Sequence, residues 1–453
     1  MKKILFVGAE VMPFAATGGL GDVLGSLPQA LASTGETDVR VVLPLYGAVS
    51  KEWRKQMKQE AVFYVHLAWR EQYCGVFSLK KSGVTYYFID NEYYFKRANL
   101  YGFFDDGERY AYFCMAAMEL MCRLDFYPDI LHAHDWQAAL SVVYLNCIYR
   151  QREGYGDIKT VFTIHNIEYQ GCYDFAILGD VFSLGENEHT LMEHDGCINL
   201  MKAAVECADR VTTVSPRYAE EIKSAEYAHG LQGSLCRNAY KLSGILNGID
   251  YKYYDPKNDK AIEATFGVRS LTGKLKNKLA LQKETGLPER EDVPMLSIIS
   301  RLASHKGLDL IAECIYDVVM NNDIQLVILG KGEDKYEKFF LNLQACFPDK
   351  VRALITYDRD LSKRIYAATD IFIMPSKSEP CGLSQMIASR YGSIPVTRET
   401  GGLYDSIKGY WEDEKGKIQG NGFTFANYSS DELLDRIYAA LWLVSVPEKR
   451  KIT

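Results

Sequence analysis

Short apolar, β-branched runs alternate along the chain with longer helical patterns, and such alternation predicts βαβ units built on a parallel sheet. In the first half, the predicted strands cover residues 4–7, 39–43, 84–89, 130–131, 161–164 and 211–214. A second series begins after about residue 290, with runs at 296–299, 326–329, 353–355, 371–374 and 394–396. Two such series predict two doubly wound α/β domains.

A linker is predicted between the two series. Residues 244–250 are rich in glycine and are followed by a tyrosine-rich stretch that ends in Asp255-Pro256. Glycine and proline at these positions interrupt regular structure and are typical of domain boundaries. We therefore place a hinge within 240–256 and expect an N-terminal domain at 1–241 and a C-terminal domain at 242–453.

Composition narrows the class of protein. The chain has 453 residues with 52 Lys and Arg against 59 Asp and Glu, so its net charge of −7 provides no basic field for nucleic acid or an anionic membrane. Eleven cysteines, an odd number without a CxxC pair, favour reduced thiols in the cytoplasm. No HExxH motif is present, and no apolar stretch approaches the roughly 18 residues of a membrane span. A soluble globular protein without a catalytic metal is expected.

One short motif occurs in each half of the chain. Residues 17–22 and 400–405 both read TGGLxD, and each copy is predicted to open a helix after a strand. Free backbone N–H groups at a helix start suit a phosphate or a sugar hydroxyl, although two tight turns with helix caps remain an alternative. Two copies in matching contexts predict one glycine-rich loop from each domain at a shared interdomain cleft. The spacing differs from the dinucleotide-binding fingerprint by one residue, which disfavours a nicotinamide enzyme.

Two cations are predicted to share one strand-to-helix loop of the second domain. Arg301 and Lys306 follow the apolar run 296–299 and precede an amphipathic helix. Cations at this position suit a diphosphate leaving group, because they stabilise the negative charge that grows as the phosphate departs. A solvated basic loop is the alternative interpretation.

A carboxylate is predicted in a comparable loop of the same domain. Glu379 follows the apolar run 371–374, and Pro380 and Gly382 are expected to fix the loop so that Glu379 points outward. Such a carboxylate suits sugar hydroxyls and an oxocarbenium-like centre, or alternatively a helix start. Cys381 is expected to have a structural or contact role, since no Cys/His pairing is readable from the sequence.

Histidines mark two strand ends in the first domain. His132 and His134 end the run that begins at Ile130, and His165 follows the run 161–164. His134 is the candidate sugar contact, with a purely structural histidine as the alternative.

Taken in order, these motifs resemble those of bacterial glycogen synthases, the ADP-glucose-using relatives of starch synthase. The resemblance covers nearly the whole chain and is carried by residues 17–22, 132–136, 163–171, 208–216, 244–250, 300–307, 379–383 and 390–402. It implies a GT-B architecture of two Rossmann-like domains facing an interdomain cleft. It also implies retaining transfer of glucose from ADP-glucose to the non-reducing end of an α-1,4-glucan, without metal or cofactor.

The resemblance also implies roles for individual residues. Arg301 and Lys306 match residues that hold the leaving phosphates, Glu379 matches one that contacts the glucose, and His134 matches one beside the reacting sugar. The residues that match donor contacts are Thr17, Gly18, Gly19, Asp22, Asn247, Tyr357, Cys381, Gly382, Leu383, Thr400, Gly401 and Gly402.

Three positions depart from related patterns. Ala16 stands where family members usually carry a lysine before TGGL, so this chain lacks the phosphate or acceptor contact that the lysine would make. The sequence stops at Thr453, where relatives commonly continue into a helix that returns to the first domain, so altered domain closure or a shortened chain is expected. Ile387 replaces a second glutamate of broader retaining transferases, which supports the glycogen synthase branch. The alternatives are a transferase that uses UDP-glucose or another acceptor, and a non-catalytic glucan-binding protein.

Overall fold

The computed structural model describes residues 1–414 and 417–445. The chain divides into two compact units, unit 1 (Met1–Ile245) and unit 2 (Leu246–Thr453). Unit 1 ends just after the strand Leu242–Gly244, which pairs in parallel with the strand Arg210–Thr213 and so belongs to the first sheet.

Unit 1 contains strands and helices in alternation. Its strands are β1 Lys2–Val7, β2 Thr37–Pro44, β3 Lys58–Leu67, β4 Arg70–Lys81, β5 Val84–Asp90, β6 Ile130–His134, β7 Lys159–Ile164, β8 Cys172–Tyr173, β9 Glu193–His194, β10 Cys197–Asn199, β11 Arg210–Thr213 and β12 Leu242–Gly244. Its α-helices are α1 Gly19–Ser33, α2 Lys51–Arg54, α3 Glu92–Phe95, α4 Asp106–Arg123, α5 Asp135–Tyr144, α6 Ile177–Asp180, α7 His189–Met192, α8 Leu200–Cys207, α9 Pro216–Glu221 and α10 Gln232–Arg237.

The main sheet of unit 1 is doubly wound, as the sequence predicts. Within the described residues it has nine strands in the order β12-β11-β7-β6-β1-β2-β5-β4-β3, parallel from β12 to β5. The strand order reverses at the junction of β1 and β6. On one side of β1 the chain continues through β2 and β5, and on its other side lie β6, β7 and β11. Open α/β sheets bind ligands at the carboxyl ends of the strands beside such a point, here called the unit 1 switch point.

A long antiparallel hairpin, β3–β4, extends this sheet at one edge, and the sequence analysis missed it. Along β3 the buried Phe63, Val65 and Leu67 alternate with exposed residues. This is the pattern of a strand with one face in water. A search for continuous apolar runs finds strands that are buried on both faces, and so it passed over β3 and β4.

Unit 2 repeats the doubly wound plan. Its strands are β13 Met295–Ile299, β14 Gln325–Leu329, β15 Val351–Leu354, β16 Ile371–Met374, β17 Ile394–Arg398, β18 Trp411–Glu412, β19 Ile418–Gln419 and β20 Phe423–Phe425. Its α-helices are α11 Thr272–Thr285, α12 Leu308–Asn321, α13 Asp334–Cys346, α14 Arg359–Ala368, α15 Ser384–Arg390, α16 Gly401–Ser406 and α17 Ser430–Ser445.

The main sheet of unit 2 is parallel throughout. In the described part of the unit it has six strands in the order β15-β14-β13-β16-β17-β20. Apolar side chains from β13, β14 and β16 pack against α12, α13 and α17 in one continuous core. The order reverses between β13 and β16, which defines the unit 2 switch point.

Candidate active site

The unit 2 switch point brings together two motifs that lie far apart in the sequence. Lys306 lies in the loop between β13 and α12, and Glu379 lies in the loop between β16 and α15. Lys306 Nζ donates to Glu379 Oε2 at 2.6 Å. The predicted phosphate-binding cation and the predicted sugar-binding carboxylate therefore form an ion pair where a ligand is expected.

The expectation that Glu379 points outward is wrong. Only 6% of Glu379 is exposed, and its Oε2 also accepts a hydrogen bond from Ser376 Oγ at 3.0 Å. A carboxylate leaves water at acceptable cost only when it is paired and hydrogen-bonded, and Lys306 and Ser376 meet both conditions. Glu379 is consequently held in one orientation.

Arg301 differs from Lys306 although both lie in the same loop. Its side chain is exposed, and it makes no hydrogen bond or ion pair with any other residue that the structure describes. One cation of the loop is thus tied to Glu379, while the other is free to meet an anion from solvent.

The second glycine motif packs directly on the Glu379 loop. Gly401 has φ +43°, and a Cβ built there would lie 2.0 Å from the carbonyl oxygen of Glu379. A Cβ at Gly402 would lie 2.2 Å from the carbonyl oxygen of Cys381, and the Gly402 N–H donates to the Glu379 carbonyl at 3.1 Å. Only glycine permits this backbone approach. Thr400 is fully buried at the start of the same turn.

Cys381 is buried between these loops and has no nucleophilic character. Burial raises the pKa of its thiol to about 12, and hydrogen bonding to Asn247 opposes this rise only in part. A thiol with this pKa is neutral at physiological pH, and the thiolate is the nucleophilic form. Asn247 and Cys381, both predicted donor contacts, are therefore neighbours in the structure. Gly382 has φ +70° and forms the turn before Leu383.

Two further predicted donor contacts belong to other segments, Tyr357 to unit 2 and Asp22 to unit 1. Tyr357 follows β15, is 69% exposed, and accepts a hydrogen bond from Arg359 Nε at 3.0 Å. Asp22 lies in the first turn of α1 and is half-buried.

A cluster of histidines occupies the unit 1 switch point. His134 ends β6 beside β1, and its ring stacks on His132 with centroids 4.1 Å apart. His134 Nδ1 lies 2.9 Å from His165 Nε2, while His134 Nε2 is buried and finds no hydrogen-bond partner among the described residues. Because a buried polar atom is normally satisfied, Nε2 is the group of this cluster with unused bonding capacity.

Burial keeps the histidines of this cluster neutral. It lowers the pKa of His132 and of His165 to about 3 and that of His134 well below its usual value, with neighbouring histidines adding to the shifts of His132 and His134. Burial also raises the pKa of the adjacent Asp135 to about 7, although its carboxylate accepts a hydrogen bond from the backbone N–H of His165 at 2.7 Å. A neutral imidazole at His134 can bind a sugar hydroxyl without attracting a counter-ion.

These shifts predict that unit 1 loses stability in acid. A histidine in the unfolded chain has a pKa near 6.5 and is protonated below that pH. In the folded cluster His132 and His165 stay neutral down to about pH 3, so the unfolded chain binds more protons between these pH values. Asp135 acts in the opposite direction between about pH 4 and 7, but three histidines outweigh one carboxyl group. Urea unfolding between pH 7 and 5 should show the free energy of unfolding falling as pH falls. His132→Gln should reduce this slope by about 1.4 kcal/mol per pH unit.

The control for this measurement is His66→Gln on the exposed face of the β3–β4 hairpin, which removes a histidine that is not buried. An unchanged slope in His132→Gln would contradict a neutral buried cluster.

The first glycine motif differs from the expectation of free amides. The buried Glu10 accepts hydrogen bonds from the N–H of Thr17 at 2.5 Å and of Gly18 at 3.1 Å, and also from Tyr101 Oη at 2.8 Å. The prediction that these two amides are free is therefore wrong, because a carboxylate of the same chain already satisfies them. Sequence analysis missed Glu10. Only its position, as a single acidic residue between β1 and the glycine turn, could have indicated this role.

An open cavity of about 470 Å³ lies near the His134 cluster. Its lining residues come mainly from the segments that follow β6 and β7, and they are Trp136, Glu168, Tyr169, Gln170, Gly171, Cys172 and His229. Exposed aromatic faces beside polar groups are suited to sugar rings. The cavity lies at the same carboxyl edge of the sheet as His134.

Comparison with solved structures first defines the class of protein to which this fold belongs. The structure is similar to the catalytic domain of starch synthase IV from Arabidopsis thaliana bound to ADP and acarbose, with a TM-score of 0.91 and 34% identity over 100% of this chain and 93% of that one. A sucrose-phosphate synthase from Thermosynechococcus elongatus shares the fold alone, with a TM-score of 0.60 and 15% identity over 100% of this chain and 92% of that one. The fold is that of a GT-B glycosyltransferase.

Sequence comparison then identifies the family. Residues 3–237 match the model of the starch synthase catalytic domain, and residues 282–451 match that of glycosyl transferases group 1. Glycogen synthase of Geobacillus thermodenitrificans is 47% identical over 97% of this chain and 90% of its own length, and that of Clostridioides difficile is 45% identical over 99% and 93%. The chain belongs to the glycogen and starch synthase family. Its activity is glucosyl transfer in glycogen synthesis, and the prediction of this activity from sequence is confirmed.

Across residues 1–414 and 417–445, no helix is long and apolar enough to cross a membrane. The same residues contain no group of three or more His, Cys, Asp or Glu side chains placed to hold a metal ion.

Proposed function

We propose that this protein transfers glucose from ADP-glucose to the non-reducing end of an α-1,4-glucan, with retention of configuration and without a metal or cofactor, in the cytoplasm. The observation that carries the proposal is the Lys306–Glu379 ion pair at the unit 2 switch point, with Arg301 exposed in the same loop. A leaving diphosphate needs cations, and the transferred sugar needs a fixed carboxylate nearby. The relative whose structure is bound to ADP supports an adenine nucleotide as the leaving group.

In this proposal unit 2 binds the donor. Arg301 meets the diphosphate from the solvent side, and Lys306 stabilises the charge that grows on it as the glycosidic bond breaks. Glu379, aligned by Lys306 and Ser376, accepts hydrogen bonds from glucose hydroxyls and balances the positive charge at the anomeric carbon. The proposed further donor contacts are Thr17, Gly18, Gly19, Asp22, Asn247, Tyr357, Cys381, Gly382, Leu383, Thr400, Gly401 and Gly402.

The proposal assigns the acceptor glucan to unit 1. His134 Nε2 has unused hydrogen-bonding capacity, and its neutral ring suits an uncharged sugar. Trp136 and Tyr169 line the nearby cavity and offer ring faces to further glucose residues.

The decisive test is whether purified protein releases ADP from ADP-glucose only when glycogen is present. Glucose from labelled donor should appear at non-reducing ends, from which β-amylase releases it early. A faster reaction with UDP-glucose would show that UDP-glucose is the donor. ADP release without glycogen would show that the protein hydrolyses ADP-glucose and does not transfer glucose to a glucan.

The second candidate function is non-catalytic glucan binding, and Ala16 is the observation that favours it. Ala16 provides no cation beside the first glycine turn, and Glu10 already occupies the Thr17 and Gly18 amides. The cations of unit 2 argue against this candidate, because glucan binding alone requires no phosphate-binding groups.

Ala16→Lys separates the two candidates. We expect an active wild type, and we expect the added lysine to change donor or acceptor affinity by no more than one charge-assisted hydrogen bond, about 1.5 to 3 kcal/mol. Titrations of both proteins with ADP-glucose and with glycogen measure this change. An inactive wild type that the lysine rescues would favour the glucan-binding protein instead.

A further inference from the structure

A third cation of unit 2 has no role in the site described above. Lys331 lies in the loop that follows β14, and its side chain is exposed. Within residues 1–414 and 417–445 this side chain makes no hydrogen bond or ion pair. The sequence analysis singled out Arg301 and Lys306 and passed over Lys331.

Lys331 is the register neighbour of Arg301. The parallel pairing of β13 with β14 continues past the ends of both strands, because the Leu302 N–H donates to the Lys331 carbonyl at 3.0 Å and Leu302 bridges Gly332. Arg301 and Lys331 each stand one residue before that bridge. Their backbones are therefore about one strand spacing apart, roughly 4.8 Å.

Glycines on both sides of Lys331 hold the two loops together. A Cβ built at Gly330 would lie 2.1 Å from the carbonyl oxygen of Ser300, and one at Gly332 would lie 2.3 Å from that of Leu302. Only glycine permits so close an approach of the two backbones. The position of Lys331 beside the phosphate-binding loop is thus fixed by the fold.

Two positive charges at neighbouring positions repel each other unless an anion lies near both. The carboxylates that follow Lys331 in the chain are engaged elsewhere. Glu333 Oε2 pairs with Lys335 Nζ at 3.1 Å, and Glu337 Oε1 accepts a hydrogen bond from the Gly332 N–H at 2.8 Å. An anionic ligand is the group that would neutralise both cations.

The strand order indicates which part of the donor Lys331 meets. The strands β15, β14, β13 and β16 are adjacent and parallel, so the loops after them lie along one edge of the sheet. In the same order, these loops carry Tyr357, Lys331, Arg301 and Glu379. This edge spans three strand spacings, roughly 14 Å at about 4.8 Å each.

A nucleotide sugar has its parts in a matching order, namely base, ribose, two phosphates and sugar. An exposed tyrosine ring suits the base, and Glu379 is the proposed sugar contact. The position of Lys331 then corresponds to the ribose and the phosphate attached to it, here called the inner phosphate. Of these two groups only the inner phosphate is anionic.

We propose that Lys331 binds the inner phosphate of the donor as a third cation beside Arg301 and Lys306. The inference rests on the proposed function, since its ligand is the donor of that reaction. The inner phosphate keeps its charge while the glycosidic bond breaks, so Lys331 binds the ground state and the transition state equally. Its removal should therefore weaken donor binding without slowing the chemical step.

The experiment measures nucleotide binding to the wild type and to Lys331→Ala by titration calorimetry. ADP affinity should fall roughly three- to tenfold, between the scales of an exposed ion pair and of a charge-assisted hydrogen bond. AMP, which retains the inner phosphate, should lose the same factor, and adenosine none. The KM for ADP-glucose should rise by that factor with kcat unchanged, and Lys331→Arg, which keeps the charge, should restore most of the affinity.

Lys338→Ala is the matched control, since it removes another lysine of unit 2 whose side chain is 76% exposed, and it should leave ADP affinity unchanged. Unchanged ADP affinity in Lys331→Ala would overturn the inference, as would a loss for ADP without one for AMP, an equal loss for adenosine, or a lower kcat at unchanged KM. If ADP binding depends on Lys331 but no glucose is transferred, the proposed function fails while the phosphate contact stands. Calorimetry needs no turnover and so keeps the two outcomes apart.

Discussion

Glu379→Gln is expected to lower kcat by about 10²- to 10³-fold while ADP-glucose still binds, the scale of losing one group that stabilises the transition state. The amide keeps the size of the side chain and can still hydrogen-bond Ser376 and sugar hydroxyls, but it cannot balance positive charge at the anomeric carbon. Titration calorimetry with ADP-glucose beside a rate assay with glycogen measures the two effects separately.

Folding must be monitored in this variant, because the amide leaves Lys306 without its counter-ion in a site where 16% of the lysine side chain is exposed. Glu284→Gln, which removes a carboxylate paired with Arg364 on the surface of unit 2, is the matched control and should leave kcat unchanged. Turnover near that of the wild type in folded Glu379→Gln would refute the role of the carboxylate.

Arg301→Ala and Lys306→Ala should each lower kcat/KM by about 10²- to 10³-fold, yet they should differ in stability. Arg301 has no partner among the described side chains, so its removal should leave the urea unfolding midpoint unchanged. Removing Lys306 leaves Glu379 as a buried carboxylate without its cation, so unit 2 should also unfold at lower urea concentration.

Arg364→Ala supplies the comparison for a lost surface charge in unit 2 and should retain full activity. A double variant, Lys306→Met with Glu379→Gln, should recover part of the stability because neither partner then remains charged. Equal stability of Arg301→Ala and Lys306→Ala would contradict the ion pair, and full activity of either would contradict phosphate binding.

The strands buried on both faces were predictable from sequence, and their order was not. Ile4 to Val7 and Ile371 to Met374 are continuous apolar runs, and they form β1 and β16. The β3–β4 hairpin escaped prediction because its apolar residues occupy alternate positions on one face. Sequence patterns report burial along a strand, whereas the neighbours of that strand depend on long-range packing.

The candidate site was predictable in its parts and not in its contacts. Lys306 and Glu379 each stand in a loop with recognisable chemistry, but their ion pair joins residues 73 positions apart and depends on β13 and β16 being neighbours. Glu379 was expected to point to solvent because its loop alone gives no sign of Lys306 or of the strand order.

Contacts made by unremarkable residues were the least predictable. Glu10 occupies amides of the first glycine motif, and Ser376 orients Glu379, yet neither belongs to a motif with a chemical signature. A single acid or serine is compatible with any surface loop, so only its position in the folded chain reveals its role.

In the proposed function, the contact between the second glycine motif and the Glu379 loop has a consequence for the entropy of donor binding. Gly401 and Gly402 leave no space between their backbone and the carbonyl groups of Glu379 and Cys381, so neither loop can change conformation without moving the other. Ordering a free loop residue costs about 1 to 2 kcal/mol. The two loops order each other during folding, so this entropy is lost before any ligand arrives. If these loops bind the nucleotide sugar, as proposed above, its binding energy remains available for the reaction.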